Sequence, residues 1–534
     1  MKKITLSIFS FLLAITATAQ NFSWVGGFNT SNSFGNYGIQ GVPSSSNQPE
    51  ARTGAANWID ASNNLWLFGG NTQTGRKNDL WKFNTTTNQW VWLKGPNTID
   101  DQGSSGTKGV TAASNNPSAR DGGITWMDTS GNLWLFGGFG FPLSGTGLGA
   151  LNDLWKYNTN TNEWTWISGD NTKDINGIYG TIGVSNSANK MGGRYLAASW
   201  VDNLNNLWLF GGIGFSSVNT SANNQNDLWK YNVTTNEWTW VSGSNFQSQF
   251  GTYGTKSIAS VSNTPGARNS VASWKDGNGN LYLFGGNGFA NTSAGSLNDF
   301  WRFNSITTQW TWMKGDSIAD KKAVYGVINV TNPLSIPGSR SLAGSWVESN
   351  GNFFLFGGQG KTANTVGNVS LNDIWKLDLS TNNWTWVGGD SIGNKLGNYG
   401  TLNVPAATNQ MGSRSRHNCW VESTGKVWVF GGQGYSSTGG FGNLNDLWSN
   451  SSIPTSLNEI SNIPNFTLYP NPTNSILNIE VKEQTQISIL NILSEVVKTE
   501  TINGTSKLDV SNLNAGVYFI QDAKSGKAIK FIKE

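Results

Sequence analysis

Arginine and aspartate recur along this 534-residue chain at fixed intervals. Arg52, Arg120, Arg194, Arg268, Arg340 and Arg414 each stand seventeen residues before the first of two consecutive glycines, Gly69, Gly137, Gly211, Gly285, Gly357 and Gly431. Asp79, Asp153, Asp227, Asp299, Asp373 and Asp446 each follow an asparagine and precede a tryptophan by two residues. Guanidinium groups gathered at one end of a ring would form a cationic collar that grips carboxylate or sulfate through paired hydrogen bonds. The same groups, if buried, would instead satisfy neighbouring carbonyls or the repeat aspartate. Both readings stand at the level of sequence, and the aspartates read as turn or strand-start residues.

Other candidate chemistry is sparse. His417 is the only histidine and Cys419 the only cysteine. They alternate with the period of a strand and can share a face, but two ligands make a poor metal site and a packed strand is the better reading. Asp276-Gly277-Asn278-Gly279-Asn280 begins like a calcium loop, yet its twelfth position is Asn287 rather than Glu, which leaves a turn. No catalytic set, metal ligand set or cofactor is expected.

The positioning elements are repeats. The paired glycines recur after 68, 74, 74, 72 and 74 residues, so most of the chain is a single supersecondary unit in six copies. Each copy predicts four short strands, as in Arg194 to Trp200, Leu207 to Phe210, Leu228 to Tyr231 and Trp238 to Val241. Asn- and Gly-rich turns separate them. The second strand is apolar at successive positions and so is buried on both faces, as in a sheet packed between two others. All 27 tryptophans fall on five repeat positions, which reads as packing between sheets rather than ligand binding. The sixth copy lacks its W-x-W strand, while Phe22-Ser23-Trp24 at the other end supplies one, with Trp24 standing 28 residues before Arg52 as in every other copy. The N-terminal strand is therefore expected to close the ring, leaving no dangling edge.

The paired glycines, the N-D-[LFI]-W strand and the Trp eleven residues after its Asp resemble the kelch family, across Phe22 to Trp448. The resemblance implies an all-β, six-bladed kelch propeller, related to the central domain of galactose oxidase, usually a binding platform and sometimes an enzyme scaffold. One histidine cannot assemble a two-histidine copper site like that of the galactose oxidase branch. The repeats exceed the usual kelch length because 28 residues separate the last Trp of one copy from the next Arg. Tyr37, Tyr179, Tyr253, Tyr325 and Tyr399 recur in that connection, so it reads as an ordered extension. Up-and-down blades place the arginines and the loops after Gly-Gly at one mouth of the ring, where variable loops suit binding. Phe141, Phe215, Phe289 and Tyr435 recur there, with Lys361 at the same position in the fifth copy. They are candidates for stacking on sugars or anchoring a protein, or else for packing each loop on its own blade.

The ends are targeting segments. Lys2, Lys3, an apolar run and Ala17-Thr18-Ala19 read as a signal peptide over 1–19, ahead of the propeller at 20–448. A Ser- and Asn-rich linker is expected at 449–465. Residues 466–534 predict a small β-sandwich. Its Y-P-N-P, L-D-V-S-x-L and A-G-V-Y motifs and basic end resemble the type A C-terminal sorting domain of the type IX secretion system of Bacteroidota. That resemblance implies a secreted or surface-displayed protein that engages the secretion machinery. No basic stripe points to nucleic acid, and no run is long enough to span a membrane. The functional expectation is a glycan- or protein-binding module; the alternative is a sugar-acting enzyme of mutarotase or glycosidase type.

Overall fold

The computed structural model describes residues 22–450, 466–481, 484–491, 495–522 and 528–534. The expected signal peptide lies outside the described residues, as does the linker from 451 onward, while Ser449 and Asn450 belong to a propeller strand. The chain forms two compact units, Met1–Ser452 and Ile453–Glu534.

In the first unit the repeat motif becomes a four-stranded antiparallel blade. Blade 3 runs Ala198–Val201, Leu207–Phe210, Leu228–Asn232 and Glu237–Ser242, paired in that order. Blade 6 takes its first three strands from Asn418–Val421, Val427–Tyr435 and Phe441–Asn450, and its fourth is Phe22–Gly26, with Trp24 opposite Trp448. The beginning of the body thus completes its end.

Tryptophans join neighbouring blades: Trp58 Nε1 donates to the Trp134 carbonyl, Trp126 to Trp208, and Trp274 to Trp346. Apolar clusters link every successive pair, including blade 6 to blade 1 through Trp420, Trp428 and Phe430 against Leu65, Leu67 and Trp90. A fully buried Leu or Phe contributes about 1.5–3 kcal/mol, so interfaces of this kind hold a body without disulfides.

The long connections lie along the outer edge of each blade. Ala112 and Thr111 pair with Trp164 and Thr165, and Ser44 bridges to Trp90. Asn47, Asn115, Asn189, Asn263 and Asn409 donate Nδ2 to the carbonyls of Trp90, Trp164, Trp238, Trp310 and Phe22. An edge strand that would otherwise offer open backbone groups is thereby covered.

One element departs from expectation. The first strand does not run unbroken from the arginine to the tryptophan. Arg194–Tyr195 pairs with Ile213–Gly214, Ala198–Val201 pairs with Leu207–Phe210, and Leu196 between them has φ 57°. The left-handed step turns the chain from one pairing to the other.

The second unit contains two sheets. One holds Phe466–Tyr469, Ile476–Val481 and Thr505–Asp509; the other holds Thr485–Leu490, Val496–Ile502, Gly516–Asp522 and Ala528–Lys533. Alternating residues such as Leu477, Ile479, Ile487, Ile489 and Phe531 form the core of this small sandwich.

Candidate functional site

The six arginines do not form a collar. Arg52, Arg120, Arg194, Arg268, Arg340 and Arg414 are at most 2% exposed, and each is bidentate to its blade's aspartate. In blade 3, Nη1 and Nη2 of Arg194 lie 2.7 and 2.8 Å from the Asp227 carboxylate, and Nε and Nη1 donate to the carbonyls of Gly192 and Gly211. Asp227 also accepts from the Tyr179 hydroxyl and Trp229 Nε1. Tyr37, Tyr253, Tyr325 and Tyr399 do the same in their blades, while in blade 2 Ser118 Oγ bonds Arg120. A bulge in the third strand, such as the register shift between Leu151 and Leu154, turns Asn-Asp inward to make the pair. Burial alone would raise the Asp79 pKa, but the charge and hydrogen bonds of Arg52, with Tyr37 and Trp81, hold it below the ordinary carboxylate value. The expectation of a cationic collar is corrected: these guanidinium groups are satisfied inside the blades and offer nothing to a ligand.

Two residues past each arginine lies a ring around the axis. Gly54, Gly122, Leu196, Ser270, Leu342 and Arg416 have φ of 65, 64, 57, 57, 59 and 54°. Each N–H donates to the equivalent carbonyl of the preceding blade: Gly122 to Gly54 (2.8 Å), Leu196 to Gly122 (3.0 Å), Ser270 to Leu196 (2.9 Å), Leu342 to Ser270 (3.0 Å), Arg416 to Leu342 (3.0 Å) and Gly54 to Arg416 (3.0 Å). The circle closes after six bonds, which counts the blades without reference to sheets. A left-handed non-glycine residue costs of order 1 kcal/mol, and here the closed set of backbone bonds holds it.

The mouth breaks this symmetry. Asp121, one residue past Arg120, accepts from Arg76 Nε of blade 1 at 2.7 Å and from Arg416 Nη2 of blade 6 at 3.2 Å. Asp121 is nearly buried, whereas the side chains of Arg76 and Arg416 are 17% and 23% exposed. The Arg76 guanidinium lies 4.9 Å over the Phe139 ring, which in turn packs on Tyr195 of blade 3 at 5.2 Å. Burial first, then the Asp121 charge, raises the Tyr195 hydroxyl pKa. Next to Tyr195, over blades 3 and 4, the mouth carries amides: Asn269 Nδ2 donates to Asn224 Oδ1 and the Asn287 carbonyl, and Ser270 Oγ donates to Asn269 Oδ1. Charge and aromatic rings with amides and hydroxyls next to them suit an anionic, hydroxyl-bearing ligand.

The loop residues are placed less openly than their recurrence implies. Phe215 is 6% exposed, and Lys361 is 9% exposed with Nζ donating to the Val366 carbonyl and facing Asp320. Phe215 is buried and Lys361 ties its own loop through Val366, so their expected role as ligand contacts is corrected. Phe141, Phe289 and Tyr435 are half-buried. Phe289 meets Phe250 edge-on and Tyr435 meets Phe441, and it is Phe250 and Phe441, at 51% and 45% exposed, that reach solvent. Asp276 spends its carboxylate on Asn278, Asn280 and Tyr282 within its turn.

His417 and Cys419 stand at the inner edge of the interface between blades 5 and 6. Burial, with a smaller push from Arg414, depresses the His417 pKa to about 3, and burial raises the Cys419 thiol to about 12. Cys419 is a free thiol of intermediate exposure. Among the described residues no group of three His, Cys, Asp or Glu side chains could hold a metal. A hollow of about 400 Å³ between blades 5 and 6 is lined by Phe22, Phe356, Ile374 and Met411; Phe22 occupies the place that Trp fills in the other blades. It lies away from the mouth and brings no charged group together.

Residues 28–181 match the KLHDC2/KLHL20/DRC7 Kelch-repeats domain, and residues 467–534 match the secretion system C-terminal sorting domain. No curated protein matches the chain. The chain carries Kelch repeats and a C-terminal tail that directs export by type IX secretion. Among the described residues no helix is long and apolar enough to cross a membrane.

Proposed function

We propose that this secreted Kelch-repeat protein is a binding module that takes an acidic glycan at its axial mouth. The Arg76, Asp121 and Arg416 cluster carries the reading. Two guanidinium groups share one carboxylate, so donors remain for an incoming carboxylate or sulfate. Phe139 and Tyr195 offer ring faces beside it, and Asn287, exposed next to the interlocked Asn224 and Asn269, offers an amide to hydroxyls. Phe250 and Phe441, packed on the half-buried Phe289 and Tyr435, add exposed apolar surface on the loops.

The second reading, a sugar-acting enzyme, draws on Tyr195, whose pKa is raised by burial first and then by the Asp121 charge. Glycoside hydrolysis needs one carboxyl free to carry a proton and a second to act on the sugar. Both Asp121 oxygens already accept from arginines, which leaves neither turned free toward a sugar.

Screening the mature protein against carboxylated, sulfated and neutral glycans tests the binding reading. Binding should be confined to the acidic glycans and weaken with salt. Equal binding of neutral glycans, or turnover of a sugar substrate, would overturn it.

A further inference from the structure

We propose that His417 and Cys419 form a two-coordinate site for a soft monovalent cation of the Cu(I) or Ag(I) class, set between blades 5 and 6 beside the axis. The chain has one histidine and one cysteine, and they stand two residues apart at the start of an innermost strand. At the position of His417 the other blades carry Ala55, Gly123, Ala197, Val271 and Ala343, and at that of Cys419 they carry Asn57, Thr125, Ser199, Ser273 and Ser345. Packing is therefore met elsewhere mostly by small residues, and the chain's one thiol and one imidazole appear together in one blade.

The geometry brings those donors side by side against Gly344. A methyl group on Gly344 of blade 5 would lie 2.4 Å from His417 Nε2 and 2.5 Å from Cys419 Sγ. Blades 1 to 4 carry Ala56, Ile124, Ala198 and Ala272 there, so the side chain is missing where both donors converge. His417 is 9% exposed and neither ring nitrogen has a hydrogen-bond partner, while its ring packs on Phe356 at 4.9 Å. A buried imidazole without partners lacks something that a ligand would supply.

The donor set selects the ion. Zinc takes four ligands in closed sites, and no third His, Cys, Asp or Glu joins this pair among the described residues. A filled d-shell monovalent ion is content with linear ligation by one nitrogen and one sulfur, and thiolate selects soft metals. Binding joins the metal to the imidazole lone pair and to sulfur, breaks the S–H bond and releases that proton to water; no electron is transferred.

The repeats supply variants compatible with the fold: His417→Ala matches Ala55, Ala197 and Ala343, and Cys419→Ser matches Ser199, Ser273 and Ser345. Titration of the mature protein with Ag(I), with bound metal and released protons measured together, should give one ion and one proton per chain. Cys419→Ser should abolish binding, and His417→Ala should weaken it by at least about 100-fold, no less than the loss of a supporting group around a metal. Absence of stoichiometric binding, or undiminished binding by His417→Ala, would overturn the proposal.

Discussion

Replacing Arg194 with methionine should unfold the propeller far more readily than replacing any arginine at the mouth. Asp227 accepts four hydrogen bonds, two from Arg194 and one each from Tyr179 and Trp229, and both members of the ion pair are fully buried. Arg194→Met removes half of those donors and leaves a carboxylate without its counter-charge, a loss of about 3–5 kcal/mol. The carbonyls of Gly192 and Gly211 also lose a donor, adding about 1 kcal/mol or more if they stay unpaired. An exposed collar arginine would cost less than about 1 kcal/mol, so the two readings differ several-fold. Thermal unfolding at neutral pH, with Arg76→Met as the control, should show a large drop for Arg194→Met and a small one for the control. Loss of Asp227 as well, in Arg194→Met/Asp227→Leu, should recover part of the stability. A variant within about 1 kcal/mol of the parent would refute the assignment of the repeat arginines to architecture.

Three further outcomes follow from the same contacts. His417 has a folded pKa near 3, below its unfolded value of about 6.5, so its neutral form is favoured by folding; its contribution is complete above pH 6.5 and is lost as pH falls. Moving from pH 6.5 to pH 5 should therefore cost about 2 kcal/mol, and His417→Ala should flatten that part of the stability profile, unless the imidazole titrates normally. Gly344→Ala should destabilise by about 1–3 kcal/mol through its clash with His417 and Cys419, and combination with His417→Ala should relieve part of the effect in thermal unfolding. Deleting residues 21–27 removes the outer strand of blade 6 and exposes the interface with blade 5, where Phe22 packs in a cluster with Trp448; unchanged melting would contradict ring closure.

The architecture was legible because it is periodic. Fixed spacing of Arg, Gly-Gly, Asp and Trp located every blade, and the missing W-x-W of the last copy pointed to Phe22 and Trp24. The break at Leu196 was not legible, since a left-handed leucine has no propensity signature and is held by a ring of backbone bonds. Periodicity also misdirected the search for a site. Recurrence singled out the arginines, Phe215 and Lys361, and recurrence at one position is what buried structure produces. The mouth cluster was available in the columns of the repeat as its exception. Gly54, Gly122, Leu196, Ser270 and Leu342 share a position with Arg416, the one charged residue among them. Arg76 and Asp121 could not be joined to it from sequence, because they come from different blades and meet only when the ring closes.

That exception gives the most direct test. Arg416→Leu places at the mouth the residue that blades 3 and 5 already carry there, as Leu196 and Leu342, and so should preserve the fold. Calorimetric titration of an acidic glycan bound by the parent should show affinity falling by about 10-fold or more in Arg416→Leu, as expected for a lost charge-assisted hydrogen bond, with the thermal midpoint retained. Equal affinity in the two proteins would contradict recognition at the axial mouth.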